Sequence, residues 1–188
     1  MIDCINEFIV RAYDISCRHG FHDEETSFYH QMMLVIGEVG EMVESDRKSR
    51  RADVVGYDKA FLSDGVDVDA HKRFCFETFI KDTVEDELAD VCIRLFDVCG
   101  CFGIHPYVYV DDDLRETWNK NFGSDDICEL SYSLVRLLCD GGKSDVHFGC
   151  VFTFIDLLAN HLGIDIDRHI KMKMDYNELR GYKHGKRY

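Results

Sequence analysis

The sequence predicts an all-α fold, and three observations carry that expectation. Apolar residues recur at helical spacing through long runs, as in Ile5, Phe8, Ile9, Ala12 and Ile15, or Ile80, Val84, Val91 and Val98. Helix-ending signals fall between those runs, at Gly20 and at Gly103-Ile104-His105-Pro106, which holds the only proline. Two acidic turns, Glu38-Val39-Gly40-Glu41 and Glu87-Leu88-Ala89-Asp90, lie inside helical runs and border their apolar stripes. With 188 residues, 46% hydrophobic and 31% charged, the chain has one domain's length and enough apolar surface to bury a core.

Taken in order, the spacing predicts a first helix over residues 2 to 19, closed by Gly20. The polar stretch from His22 to Thr26 is a connection. Its His22-Asp23 pair is similar to the His-Asp dipeptide of metal-dependent phosphohydrolases, but no distant partner constellation accompanies it, so a solvated loop is expected. A second helix runs from about Ser27 to Arg50 and ends in a basic cluster. Residues 52 to 72, with Gly56 and Gly65, lack clear periodicity and read as a long excursion over the site, as functional lids often are. A third helix is expected from about Phe74 to Phe102. On its wheel Asp86, Glu87, Asp90, Arg94 and Asp97 form one polar strip, in which Asp97 and Arg94 make a supporting pair. Residues 107 to 125, with Trp118, are a polar connection. Helices over 126 to 139 and 146 to 162 follow, and a last one runs from about Asp165 to Leu179.

Charge and cysteine usage narrow the function classes. A net charge of -14 argues against a broad basic surface for nucleic-acid polymers, because that mode depends on neutralising phosphates with Lys and Arg. Small phosphorylated ligands remain open if metals bridge the like charges. No basic-then-apolar leader and no apolar stretch of membrane-spanning length is present, so a cytoplasmic protein with no membrane partner is expected. The nine cysteines include no Cys-x-x-Cys pair, and several fall at apolar helical positions, which favours reduced core cysteines. A thiolate zinc site from Cys99, Cys101, His147 and Cys150 matches no common spacing and ranks below core packing.

The acidic turns carry the chemistry. Residues three apart share a helix face, so Glu38 with Glu41, and Glu87 with Asp90, each project two carboxylates side by side. Two antiparallel helices would bring all four together, and half-buried anions at such spacing need a cation of high charge. All-oxygen ligands point to Mg2+, with Mn2+ as the alternative. No Glu-x-x-His turn of the di-iron bundles is present, nor a phosphate-binding Gly-rich loop, dinucleotide fingerprint or nucleophile elbow. Lys48, on the same face as Glu41, either caps the helix C-terminus or leans toward metal-held phosphates. In the last helix His169, Lys173, Asn177 and Arg180 fall on one polar face. Beyond it lies a basic tail, residues 181 to 188, which is a solvated terminus by default or a closing element over triphosphate oxygens.

Glu-x-x-Glu on one helix, Glu-x-x-Asp on the next, a terminal Lys-x-x-x-Asn-x-x-Arg and the Lys-His-Gly-Lys of the tail together resemble the MazG-like family of all-α nucleoside triphosphate pyrophosphohydrolases. The resemblance covers residues 30 to 104 and 162 to 188. It implies four metal-binding acids at Glu38, Glu41, Glu87 and Asp90, with Glu38 or Glu41 orienting or deprotonating the water, and nucleotide contacts from Lys173, Asn177 and Arg180. It further implies cleavage of an NTP or dNTP between the α and β phosphates, and a homodimer or homotetramer. The chain departs from the family in a longer connection between the acidic turns, and in a helical insertion over 105 to 161 within its single domain of residues 1 to 188.

Two other classes compete. A non-catalytic helical protein would bind metal or nucleotide without turnover. A purely structural bundle would explain the apolar stripes but not why both acid pairs adjoin them.

Overall fold

A computed structural model describes residues 4–62, 68–108, 113, 116 and 125–185. Among them the protein is all-α: α1 (Ile5–Arg18), α2 (Phe28–Arg47), α3 (Val54–Phe61), α4 (Val68–Phe79), α5 (Val84–Phe102), α6 (Ile127–Asp140), α7 (Asp145–His161) and α8 (Ile166–Glu178), then a 3-10 turn at Tyr182–Gly185. Within the excursion, residues 63–67 lie outside the described residues, as do Trp118 and Lys186, Arg187 and Tyr188 of the tail.

Local chemistry sets the helix ends. The hydroxyl of Ser27 accepts from the His30 amide at 3.1 Å to start α2, and that of Ser144 accepts from His147 at 3.1 Å to start α7. Gly20 and Gly103 take left-handed backbone conformations (φ 79° and 65°) just past α1 and α5, as their sequence positions predict. Two expectations are corrected here. The helix expected from Phe74 to Phe102 is two helices, α4 and α5, because Asp82 turns left-handed at φ 59° and Thr83 restarts the chain, its Oγ1 accepting from the Asp86 amide at 3.3 Å. The stretch 52 to 72 is not an aperiodic excursion. It contains α3, capped by Asp53 accepting from the Gly56 amide at 2.8 Å, and the first turn of α4.

Helix α5 is the centre, packed against α2, α1 and α8. Its apolar residues Val84, Leu88, Val91, Cys92, Leu95 and Phe96 are buried among Phe8 and Ala12 of α1 and Val35, Val39 and Met42 of α2. Phe96 stacks on Phe8 at 5.5 Å and on Phe152 of α7 at 5.1 Å, and truncating such a ring to Ala typically costs about 3–5 kcal/mol. The expected insertion thus shares the main core: Leu130 and Leu134 of α6 and Phe148, Phe152 and Ile155 of α7 belong to it. Gly149 fixes one close approach, since a Cβ there would fall 1.9 Å from the Tyr107 carbonyl oxygen. A smaller cluster of Phe76, Ile80, Met172 and Tyr176 joins α4 to α8. None of the cysteines forms a disulfide; Cys75, Cys92 and Cys99 are buried, whereas Cys17, Cys128, Cys139 and Cys150 are exposed, so core packing accounts for only some of them. Among the described residues no single helix is long and apolar enough to cross a membrane.

Candidate functional site

The two acidic turns meet where α2 crosses α5. Carboxylate oxygens of Glu38, Glu41 and Glu87 lie within 4.8 Å of one another. Glu38 and Glu87 are each only 5% exposed, and Glu41 opens to solvent. Glu87 and Asp86 sit in the first turn of α5, where the positive end of the helix dipole favours carboxylates. Burial raises the Glu38 pKa, with Asp90 adding to the effect and the Arg94 guanidinium opposing it. Glu87 is pushed up to about 8, first by burial and then by Asp86 and Asp90. Its side chain has no hydrogen-bond or ion-pair partner among the described residues. A buried carboxylate that no cation pairs with directly, that Lys173 stabilises only from a distance and that lies within reach of two others is what a hard divalent cation fits, and the donor set is all oxygen.

Asp90 is placed differently from the other three expected ligands. Its Oδ2 takes the Lys173 ammonium at 2.7 Å, while Lys173 also donates to Asp86 Oδ1 at 2.9 Å. Burial works against the ammonium, yet Asp90 and Asp86 outweigh it and hold the Lys173 pKa above its ordinary value. Asp86 and Glu87 form a second carboxylate group with Asp82, also within 4.8 Å. Both candidate ligand groups among the described residues are thus carboxylate only, and the Cys99, Cys101, His147 and Cys150 set is not one of them.

A cleft runs from this acidic corner between α1, α2, α5 and α8. Glu38, Asp90, Arg94, Asn177 and Arg180 line its polar side, and Ile15, Phe21, Leu34, Ile93 and Met174 its apolar side. Asn177 is buried, its Oδ1 accepting from Arg180 Nη1 at 3.4 Å. The expected nucleotide contacts therefore separate: Asn177 and Arg180 face the cleft, whereas Lys173 does not line it. Lys48 does not line it either; it caps the C-terminus of α2 and pairs with Glu44 at 3.0 Å.

Three features differ from sequence expectation. Arg94 does not pair with Asp97 but donates from Nε to Glu38, which orients that carboxylate at the cleft. Asp97 instead pairs with His22 at 2.7 Å, and His22 also packs on the Tyr13 ring at 4.9 Å, so His22 is not in a solvated loop. The tail over 182–185 is bound to the end of α1: Tyr182 donates to Asp23 at 2.7 Å, the Lys183 amide donates to the His19 carbonyl at 2.8 Å, and the His184 ring packs edge-on against Phe21 at the cleft mouth. The polar strip of α5 was legible as a strip, and the Arg94 and Asp97 partners required knowing which helices flank it.

Fold and site together define an all-α protein with a cleft whose acidic corner could hold a metal ion. No family model, no curated protein and no solved structure matches the chain.

Proposed function

We propose that the protein is a Mg2+- or Mn2+-dependent nucleoside triphosphate pyrophosphohydrolase of the MazG-like type, which cleaves an NTP or dNTP to a monophosphate and pyrophosphate. The observation that supports this most is the joining, in one cleft, of Glu38 and Asp90 with Asn177 and Arg180, while the Glu41 and Glu87 carboxylates converge on Glu38. Glu38, Glu41 and Glu87 hold the metal in this reading. A divalent cation bound there supplies neutralisation of phosphate oxygens and polarisation of the scissile phosphoryl group. Glu41, being exposed, or Glu38 accepts the proton of the attacking water, with Arg94 keeping Glu38 in one orientation. Arg180 meets phosphate charge, Asn177 offers an amide to sugar or phosphate, and the Phe21, Leu34 and Met174 side takes the base.

The test is pyrophosphate release from a panel of ribo- and deoxynucleoside triphosphates with Mg2+ or Mn2+, comparing the wild type with Glu41→Gln and Asp90→Asn. Release of pyrophosphate and monophosphate by the wild type, and its loss in both folded variants, supports the reading. Binding of nucleotide without release favours a non-catalytic binding protein instead.

A further inference from the structure

Glu87 belongs to two carboxylate groups, and each group by itself has the look of a cation position. The two differ in what already neutralises them. In the group of Asp82, Asp86 and Glu87, both oxygens of Asp86 are engaged: Oδ1 by the Lys173 ammonium at 2.9 Å, Oδ2 by the Asp82 amide at 3.0 Å. Asp82 is paired with Lys81 at 2.8 Å and lies 3.7 Å from Arg50. The same ammonium takes Asp90 at 2.7 Å.

Lys173 is held where it is. It is 5% exposed, its ammonium lies 5.4 Å from the centre of the Phe76 ring, and Phe76 is stacked on Tyr176 at 4.4 Å. An ammonium placed over an aromatic face between two carboxylates occupies the place a metal would otherwise take. Removing it without replacement would leave Asp86 as a buried, uncompensated anion and Asp90, partly open at the cleft, without its partner. On the other side of Glu87 no cation among the described residues pairs directly with Glu41 or Glu87: Lys173 acts on Glu87 only from a distance, and Arg94 pairs with Glu38.

We infer that Lys173 is a built-in cation filling the second position of the acidic site, so that the protein binds a single divalent ion, through Glu38, Glu41 and Glu87, with Lys173 taking no part in contacting substrate. This rests on reading the cleft as a metal site. It replaces the substrate-contact role expected for Lys173 with one in positioning Asp90 and setting metal stoichiometry.

The experiment is titration of Mn2+ alone into the metal-free full chain, with free Mn2+ followed by electron paramagnetic resonance. One Mn2+ per chain is expected in the wild type, none in Glu41→Gln, and one with unchanged affinity in Asp82→Asn. Lys173→Met, shown folded by circular dichroism, is expected to take up a second Mn2+, and Lys173→Met/Asp86→Asn to return to one. Two ions or none in the wild type, loss of affinity in Asp82→Asn, or a folded Lys173→Met that still binds one each overturn the inference. If Lys173→Met does not fold, the wild-type count and Asp82→Asn decide. Triphosphate hydrolysis by a protein that binds two Mn2+ overturns the Lys173 assignment and leaves the enzyme reading. One Mn2+ without hydrolysis of any triphosphate does the reverse.

Discussion

Glu87 stands between two ionic environments built from the same kinds of side chain. Toward α2, Glu38 and Glu41 bring carboxylates within 4.8 Å, with Arg94 as the one side-chain cation paired there among the described residues and Glu41 open to solvent. Toward α8, Asp86 and Asp90 enclose Lys173; Asp86 and Lys173 are buried, Asp90 is partly open at the cleft, and Asp82 is half exposed. The difference teaches that a carboxylate cluster is not defined by its acids. Where the chain supplies the countercharge, the acids tie helices together; where it supplies too little, they are left able to take a ligand.

The comparison is broken most severely by removing the built-in cation. Lys173→Met is expected to destabilise the metal-free protein by about 3–5 kcal/mol, because Asp86 loses its partner while staying buried. Urea unfolding checks this, and Asp86→Asn in the same chain should recover part of the loss, the coupling a double-mutant cycle reads. On the open side the expected pattern is opposite. Glu41→Gln should shift unfolding stability by no more than about 0.5 kcal/mol, as for an ordinary surface change. The same substitution should lower metal-dependent pyrophosphate release at least about 100-fold, or about 2.7 kcal/mol of transition-state stabilisation. Activity and stability thus separate at Glu41 and not at Lys173.

Arg94→Gln sharpens the contrast, since Glu38 keeps its burial and loses its charged donor. Destabilisation of about 1.5–3 kcal/mol is expected, measured by urea unfolding, together with weaker Mn2+ uptake. The smallest effect belongs to the His22–Asp97 pair at the cleft wall. The hydrogen bond that the His22 ring donates to Asp97 holds the His22 pKa above its usual value against the burial that lowers it. The folded state therefore favours the imidazolium: the pair's contribution is fully present below the unfolded His pKa of about 6.5 and is lost as pH rises through the higher folded value. Unfolding midpoints of the metal-free protein followed from pH about 6 to 9 should fall slightly less in His22→Gln than in the wild type, the remaining fall coming from Glu87, whose raised pKa of about 8 makes it lose stability over the same range.

Much of the fold was readable because helical periodicity and capping chemistry are local. Ile5, Phe8, Ile9, Ala12 and Ile15 mark the buried face of α1, and Gly20 and Gly103 end helices where their backbone angles require. The break between α4 and α5 was not read, because the apolar spacing from Phe76 through Ile80 to Val84 continues across it. The signal was present in Thr83, a helix-starting hydroxyl followed three residues later by Asp86. For the site, the wheel identifies which residues share a face, as with Lys173, Asn177 and Arg180. It does not say which way the face turns. That face divides at the end of α8: Lys173 is directed at the acids of α5, and Asn177, with Arg180 just beyond the helix, at the cleft, a split set by helix packing and invisible to spacing. Likewise His22 reads as a loop residue until α1 and α5 bring Tyr13 and Asp97 to it.

The clamp of Lys173 on Asp86 joins residues 87 apart in the chain. Closing a loop of that length is entropically unfavourable before any ion pair repays it, so contacts of this separation slow folding and form late. Without α8 the acids of α5 and α2 are a mutually repelling set, and the docking of α8 supplies the countercharge of Asp86 and Asp90. Substitutions in α8 that remove this countercharge should accordingly speed unfolding more than they slow folding.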